Sequence, residues 1–391
     1  GDVAPSPLVP SNVQAALEGL RTHGFPNYFG LQRFGANVDA ATHEVGAALL
    51  RADYPQALRL LLAPSQDDSA EELEARRIFW STQDAVAALR LLPRRPSVAR
   101  QLLEGLRDNG SSNVLAALSR LPKNLRSMYL HALQSWVWNH AASERLRRYG
   151  CEAAVEGDLV LPPDAVAGGA ATGAEIEAVA CELDAGGGAA LAEEAAGGAD
   201  GAEGAEGSDS GVGKAAKGGD SGPHGLPEPH VVTAEEAAAR TYSIEDVVLP
   251  LPGTKVVMPQ NELAEVYTEL LARQRLEPAS FHHKVKEMVM PGAYRRLVQR
   301  PRDLSWQYFR YTDPRVPLAR TDLARLRGDP EPQGVADGPR LAVVLRFTLP
   351  PSTYATMLLR ELTKQSTDLT HQLELNQPHV APTSAEHAKE E

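Results

Sequence analysis

Residues 164–230 constrain the fold of this chain more than any other stretch, because they offer little from which a hydrophobic core could be built. The stretch consists mostly of Ala, Gly, Glu and Asp and has scarcely any aromatic or large aliphatic side chain. Such a composition cannot bury enough apolar surface to offset the conformational entropy that ordering would cost. We therefore predict a disordered Ala/Gly/acidic insert with folded chain on both sides of it.

The insert also accounts for the acidity of the chain. The formal net charge is −12. Residues 164–230 contain thirteen acidic residues against two lysines, so the rest of the chain is close to neutral. An acidic total is therefore compatible with a locally basic surface that attracts nucleic acid.

Cysteine usage and hydropathy indicate the cellular compartment that the sequence suits. The sequence has two cysteines, Cys151 and Cys181, and the second lies inside the predicted insert. This pattern argues against a disulfide framework and for a reducing environment. No apolar run is long enough to span a bilayer, and no basic-then-apolar leader is visible. We expect an intracellular protein, of the nucleus or the cytoplasm, with no membrane partner.

Helical periodicity dominates the chain outside the insert, and short strands follow it. The longest predicted helix, 125–149, carries Arg145, Arg147 and Arg148 in its last turn, where they would either contact phosphate or form a solvated helix end. Short strands are predicted at 247–249 and 255–258, and a strand buried on both faces at 341–345. The fold class predicted is α+β. The other predicted helices cover residues 12–23, 43–51, 55–62, 69–80, 84–92, 97–107, 262–273 and 352–363.

The segment from Gly24 to Gly35, GFPNYFGLQRFG, has a composition that suits neither a core strand nor a solvated helix. Its aromatic residues supply flat faces, its glycines allow close backbone approach, and its Asn, Gln and Arg supply hydrogen-bond donors. That combination suits a pocket which stacks and hydrogen-bonds a base turned out of RNA. The alternative is an aromatic-rich structural turn, and twelve residues alone leave both open.

Four later segments extend the pattern in a fixed order along the chain. They are HALQSWVWN (His131 to Asn139), DVVLPLPG (Asp246 to Gly253), MPGAYRRLVQRP (Met290 to Pro301) and FTLPPSTYATMLLREL (Phe347 to Leu362). Together with GFPNYFGLQRFG, they resemble the TruD family of RNA pseudouridine synthases, and their sequences are most similar to those of its eukaryotic branch. The resemblance covers residues 12 to about 370, apart from the insert.

The resemblance implies a split catalytic domain interrupted by a largely helical insertion domain. Residues 1–65 would be the later portion of the first part of the catalytic domain, and 66–310 the insertion domain, itself interrupted by the insert at 164–230. Residues 311–370 would return to the catalytic domain, and 371–391 would form a loose tail. The implied activity is isomerisation of uridine to pseudouridine in tRNA and in other RNAs such as small nuclear RNA or mRNA, by a protein expected to be monomeric.

The resemblance also implies a base-binding pocket. Asn27 and Phe29 match the asparagine and the aromatic residue of the family's active site, and the aromatic residue is expected to pack against the target base. Tyr354, in the last of the five segments, matches another aromatic residue that reaches the same site. Tyr28, Gln32 and Arg33 would order the loop or contact the RNA backbone.

The nucleophilic aspartate of the family lies in a GTKDRxA-like segment that precedes the aromatic signature, and this sequence has no such match. The GTK at Gly253 to Lys255 continues into Val256. We therefore expect that these 391 residues alone do not turn over uridine. The alternative is a non-catalytic RNA-binding protein, or RNA chaperone, that has lost the catalytic aspartate.

Residues 282–302 form the most basic and aromatic stretch of the sequence. They could track a phosphate backbone, or they could simply be a solvated surface, and we weigh these alternatives equally. The histidine spacings do not predict a metal site, and the isomerisation needs neither a metal nor a redox cofactor. The possible phosphate contacts are Lys284, Lys286, Arg295, Arg296 and Arg300.

Overall fold

The computed structural model of the chain describes residues 11–35, 40–65, 68–161, 228–313 and 315–367. The predicted tail, and all but the last three residues of the predicted insert, lie outside this part of the chain. Two compact units are present, one formed by Gly1–Phe25 and Gln299–Lys364, the other by Pro26–Val298 and Gln365–Glu391. The domain boundaries implied by the family resemblance stay predictions.

The described chain contains both helices and strands, so the predicted α+β class is confirmed. In chain order the helices are α1 (Ser11–His23), α2 (Thr42–Leu50), α3 (Tyr54–Leu61), α4 (Ala70–Thr82), α5 (Ala85–Leu91), α6 (Val98–Asn109), α7 (Val114–Ser119), α8 (Lys123–Tyr149), α9 (Ala234–Ala239), α10 (Leu263–Arg273), α11 (Asp322–Leu326) and α12 (Ala355–Thr363). The strands are β1 (Phe25–Pro26), β2 (Leu159–Val160), β3 (His230–Val231), β4 (Val247–Leu251), β5 (Ala293–Arg296), β6 (Val298–Gln299), β7 (Arg302–Tyr311) and β8 (Arg340–Thr348). Short 3-10 turns cover Leu31–Phe34, Pro278–Phe281 and Lys286–Met288.

The second unit is built around the long helix α8, which contacts α2, α10 and β4. Its inner face buries Leu133, Val137 and Trp138 completely. α2 approaches α8 closely at Gly46, where an added Cβ would lie 2.1 Å from the carbonyl oxygen of Tyr129. The two helices can therefore meet at this distance only because residue 46 has no side chain.

A four-stranded antiparallel sheet with the order β3-β2-β4-β5 packs beside α8. In its register Leu249 lies opposite Arg295 and Pro250 opposite Tyr294. The strand predicted at 255–258 is wrong, because those residues are not in a strand and the partner of β4 is β5. Beyond β4, the N–H groups of Thr254 and Lys255 donate to the carbonyls of residues 290 and 291, both at 2.9 Å.

The predicted insert extends slightly too far towards its C-terminal end. Its last residue, His230, begins β3, where it pairs with Val160. Its side chain contacts the Glu236 carboxylate at 2.8 Å. Disorder predicted through residue 230 is therefore wrong at this boundary, because the sheet takes in the chain there.

The last turn of α8 differs from its predicted role at one position. Arg145 is fully buried and forms an ion pair with Asp158 at 2.7 Å. It lies three and four residues beyond Ala142 and Ala141, on the buried face of the helix. Arg145 is therefore neither a phosphate contact nor part of a solvated helix end.

The first unit contains an antiparallel pair of strands and two helices that pack together, α1 and α12. β7 and β8 pair along their length, with Trp306 opposite Leu345 and Tyr308 opposite Val343. The strand predicted at 341–345 exists, but its predicted burial on both faces is wrong, since Leu341 is exposed and the other residues are half-buried. Within the described residues of this unit, β8 has one strand neighbour, so its faces are incompletely covered.

Among the described residues, no helix combines the length and the apolar character needed to cross a membrane.

Candidate functional site

Residues of three separated segments meet in the second unit, where the signature segment packs on α8 and β5. The backbone N–H of Asn27 donates to the carbonyl of Leu297 at 2.9 Å. The Asn139 side chain accepts from the N–H of Phe29 at 2.9 Å and donates to the carbonyl of the same residue at 3.0 Å. An irregular loop is thereby fixed at two points, at Leu297 between β5 and β6 and at Asn139 of α8.

Arg295 orients the side chain of Asn27. Its Nε donates to the Asn27 carbonyl and its Nη2 to Asn27 Oδ1, both at 2.8 Å. Asn27 Nδ2 in turn donates to the carbonyl of Arg296 at 3.2 Å. Asn27 and Arg295 are both buried, so these charge-assisted bonds are shielded from water. The Asn27 amide is therefore held with its oxygen towards the guanidinium.

The Phe29 ring is enclosed by side chains of the second unit. The Arg295 guanidinium carbon lies 4.0 Å from the ring centroid, within cation–π range. Trp138 meets the ring edge to face, with centroids 5.7 Å apart. Only 5% of Phe29 is exposed, so the ring is packed on protein groups here. Its expected contact with a target base stays a prediction.

Arg33 adds a second cation beside the same ring. Its guanidinium carbon lies 5.6 Å from the Phe29 centroid, and only 7% of the residue is exposed. Its Nε donates to Ser135 Oγ across 3.4 Å, and no ion pair joins it to a described acidic residue. Burying a charge without a close counter-ion is unfavourable. The positive potential around Phe29 therefore favours an anionic group nearby.

His131 lies close to Arg33 and is uncharged near neutral pH. The pKa of His131 is lowered to about 4, mainly by burial and to a smaller extent by the Arg33 charge, while a contact with Gln134 acts in the opposite direction. His131 Nδ1 lies 3.0 Å from Gln134 Oε1. The positive charge of the site therefore resides on its guanidinium groups.

Tyr28 and Gln32 lie at the outer side of the signature segment. The Tyr28 hydroxyl and Ser143 Oγ are 3.0 Å apart, which ties the loop to α8. Gln32 is exposed. These positions are compatible with the predicted roles, an ordered loop or a contact with RNA backbone, and both roles stay predictions.

Tyr354 belongs to the first unit, where it is half-buried and immediately precedes α12. Its carbonyl accepts from the N–H of Met357 at 3.0 Å, within the first turn of that helix. The prediction that its ring and Phe29 belong to the same pocket stays a prediction.

The five candidate phosphate contacts do not form one exposed patch. Lys284, Lys286 and Arg300 are exposed, whereas Arg295 is buried in the site described above. Arg296 is half-buried and donates to the carbonyl of Glu245, and burial lowers the pKa of its guanidinium. Arg295 and Arg296 point to opposite faces of β5. The sequence alone does not show which of these faces is covered by the rest of the chain.

Several residues of the site were missed by sequence reasoning. Ser135, Trp138 and Asn139 all lie in HALQSWVWN, and their i, i+3, i+4 spacing places them on one face of α8. That spacing could have identified them, because two polar residues and one aromatic residue lie together on the side of α8 that faces the core. Among the described residues, no cluster of His, Cys, Asp and Glu side chains could hold a metal ion.

Comparison with known proteins points to one family. The family model described as tRNA pseudouridine synthase D (TruD) matches residues 3–190 and 229–362. Pseudouridylate synthase 7 homolog from Homo sapiens is 34% identical over 365 residues, covering 93% of this chain and 45% of the relative. The multisubstrate pseudouridine synthase 7 of Schizosaccharomyces pombe is 34% identical over 359 residues, covering 91% of this chain and 47% of the relative. The chain thus spans about half the length of the curated relatives it matches.

A solved structure supports the fold. The structure from Methanosarcina mazei that is named for tRNA pseudouridine synthase D (TruD) aligns with a TM-score of 0.60 and 22% identity. The alignment covers 93% of this chain and 68% of the other. At this identity the likeness shows the fold alone.

Proposed function

Because the chain belongs to the TruD family of pseudouridine synthases, we propose that the protein isomerises uridine to pseudouridine in RNA. The observation that supports this most directly is the arrangement of Asn27, Phe29 and Arg295. Three segments that are distant in sequence come together there to order one amide and one aromatic ring in a positively charged site. We propose tRNA as a substrate, with small nuclear RNA and mRNA as further candidates, and a monomeric protein of the nucleus or cytoplasm.

The reaction sets clear demands on the site. The bond from ribose C1′ to uracil N1 breaks, the base turns, C1′ bonds to C5, and the proton of C5 is lost while N1 gains one. A carboxylate must act as nucleophile or base, and the uridine must leave its stack. We propose that chain outside these 391 residues supplies the carboxylate, and that the Asn27 site forms one wall of the pocket.

The two cations give this wall a specific task. Arg33 and Arg295 are both buried, and the guanidinium groups of both contact the Phe29 ring. An aspartate or an RNA phosphate brought to the site would interact favourably with them. Asn27 uses one N–H on the carbonyl of Arg296, so its second N–H can donate to a uracil carbonyl.

Mass-tagging of pseudouridine in a structured tRNA tests the proposal, with the complete protein as the enzyme. Asn27→Ala should lower turnover by at least about fivefold, because one strong polar contact to a base contributes roughly 1–3 kcal/mol. Asn124→Ala is the matched control, since Asn124 is exposed in the first turn of α8. We expect the control to retain full turnover.

Two outcomes would contradict the proposal. If the complete protein leaves tRNA, small nuclear RNA and mRNA fragments unmodified while still binding them, the non-catalytic RNA-binding alternative is favoured. If Asn27→Ala matches the control, the site is structural only. The 391 residues tested alone should bind RNA without turnover, and modification of uridine by them would show that the acid lies within this chain.

A further inference from the structure

A stack of rings leads away from the end of the signature segment. Phe34 meets His43 edge to face with centroids 6.3 Å apart, and His43 lies parallel to Trp136 at 5.1 Å. Trp136 contacts His140 in turn, at 4.4 Å. The aromatic stack (Phe34, His43, Trp136 and His140) therefore joins the signature segment, α2 and α8, and its members are half-buried or exposed.

Both histidines of the stack are uncharged at neutral pH. The pKa of His43 is lowered to about 4, mainly by burial and also by the neighbouring His140. Burial likewise lowers the pKa of His140, and the charge of Arg273 acts in the same direction. The stack is thus a neutral aromatic surface with a guanidinium close to its end.

A partly open cavity of about 340 Å³ lies next to this end of the stack. Its wall includes Arg273 together with Glu44, the residue that follows His43. Cavities of about 300 Å³ and above are large enough for part of a nucleotide. The cavity is lined mainly by charged and amide side chains, so it suits a polar ligand rather than an apolar one.

Three arginines from two elements converge on the cavity. Arg51 follows α2, Arg273 ends α10, and Arg275 lies two residues further on. None of them forms an ion pair with an acidic residue in the described chain. Arg51 Nη1 instead donates to the carbonyl of Gln274 at 2.6 Å, which fixes the side chain in the wall.

The acidic residues of the wall leave the cavity cationic. Asp53 also lines the cavity, but its Oδ1 caps α3 by accepting from the N–H of Gln56 at 3.1 Å. Glu44 is exposed in the first turn of α2, where the helix dipole favours a carboxylate. Burial lowers the pKa of the Arg51 guanidinium, the Asp53 carboxylate acts in the opposite direction, and Arg275 lowers the pKa as burial does. The three arginines of the wall thus outnumber its two carboxylates, Glu44 and Asp53, so an anion entering the cavity would be attracted.

We propose that the arginine pocket (Arg51, Arg273 and Arg275) binds a phosphate of the substrate RNA next to the nucleotides that pass over the aromatic stack. The inference rests on the proposed function, since it assigns a binding subsite to the same substrate. Fork-shaped guanidinium groups match phosphate oxygens, and neutral rings accept stacked bases without regard to sequence. The pocket therefore contributes affinity and register more than sequence selection.

Binding of a structured tRNA by the complete protein, measured at several salt concentrations, tests the proposal. Arg273→Ala with Arg275→Ala should weaken binding about tenfold and reduce the slope of log K against log salt by about one. The matched control is Arg90→Ala with Arg94→Ala, which removes the same charge from an exposed region around the end of α5. Arg273→Lys with Arg275→Lys should keep the slope and lose part of the affinity, because the charge remains but the fork does not.

Arg273 and Arg275 are exposed, so the thermal midpoint of the double alanine variant should equal that of the control. If wild-type protein modifies RNA but the pocket variant shows the affinity and slope of the control, the pocket does not bind RNA and the proposed function stands. If wild-type protein neither binds nor modifies RNA, the proposed function itself fails.

Discussion

Replacing Arg145 with methionine should destabilise the second unit by about 3 kcal/mol, at the lower end of the range for breaking a buried ion pair. Both Arg145 and Asp158 are fully buried. The guanidinium reaches the carboxylate through Nε at 3.0 and 3.1 Å and through Nη2 at 2.7 Å. It also donates to the carbonyls of Gly150 and Ala153, at 2.9 and 3.0 Å. Methionine would fill most of the volume and leave all of these acceptors without their donor.

The lower end of the range follows from what Asp158 retains. Its carboxylate still accepts from the N–H of Val155 at 2.9 Å and from Asn261 Nδ2 at 3.2 Å. These bonds stabilise the charge partly, so the remaining carboxylate is not left wholly unsatisfied. A loss near 5 kcal/mol would be expected only if both bonds were absent.

Urea unfolding followed by tryptophan fluorescence measures the effect, because Trp138 lies on the buried face of the same helix. Arg147→Met is the matched control. Arg147 lies two residues after Arg145 in the same helix, but its side chain is exposed and pairs with Glu144. Adding Asp158→Asn to Arg145→Met should recover part of the loss, because the uncompensated charge disappears. Equal midpoints for Arg145→Met and the control would refute the reasoning.

Two further predictions concern stability. Gly46→Ala should lower the free energy of urea unfolding by about 1–3 kcal/mol, because α2 cannot approach α8 with a side chain there. Gly19→Ala should be neutral or stabilising, because an added Cβ meets nothing within 4 Å. A larger loss for Gly19→Ala than for Gly46→Ala would contradict the packing. The free energy of unfolding should fall as the pH drops from 6.5 towards 4, because His131, with a pKa near 4 when folded and 6.5 as its ordinary value, takes up its proton only on unfolding in that range. His131→Gln should flatten this part of the pH profile, and an unchanged slope would show that other groups cause it.

Local features of the fold could be predicted from the sequence. The helix predicted from residue 69 is present as α4, and it begins with a capping box in which Ser69 and Glu72 each accept from the other residue's N–H, at 3.3 and 2.9 Å. The long helix that ends at Gly150 is confirmed as α8. Helical spacing and end signals act over a few residues, so a single sequence carries them.

Strand pairing and burial could not be predicted in the same way. The partner of β4 begins at residue 293, far along the chain, whereas the sequence predicted the next strand much nearer, at 255–258. The buried role of Arg145 depends on Asp158, which comes from the strand region after the helix. Pattern within one segment does not show which distant segment will cover it.

The candidate site divides along the same line. Asn27 and Phe29 were identified because the signature segment resembles the active-site segment of the family. The sequence offered Arg295 either a phosphate contact or a solvated surface, whereas in the structure it is buried and bonds to Asn27 across 268 positions. No property of Arg295 in the sequence distinguishes it from Arg296 next to it. The sequence therefore indicated the loop of the site and could not indicate what holds that loop.

The amide of Asn139 takes over a task that usually belongs to a neighbouring strand, because it pairs with both the N–H and the carbonyl of Phe29. One rung of a β-ladder is thus supplied by a helix side chain. An aspartate at this position would keep the acceptor and lose the donor, setting two oxygens against each other. The backbone conformation of the signature segment at Phe29 therefore depends on the amide nitrogen of Asn139.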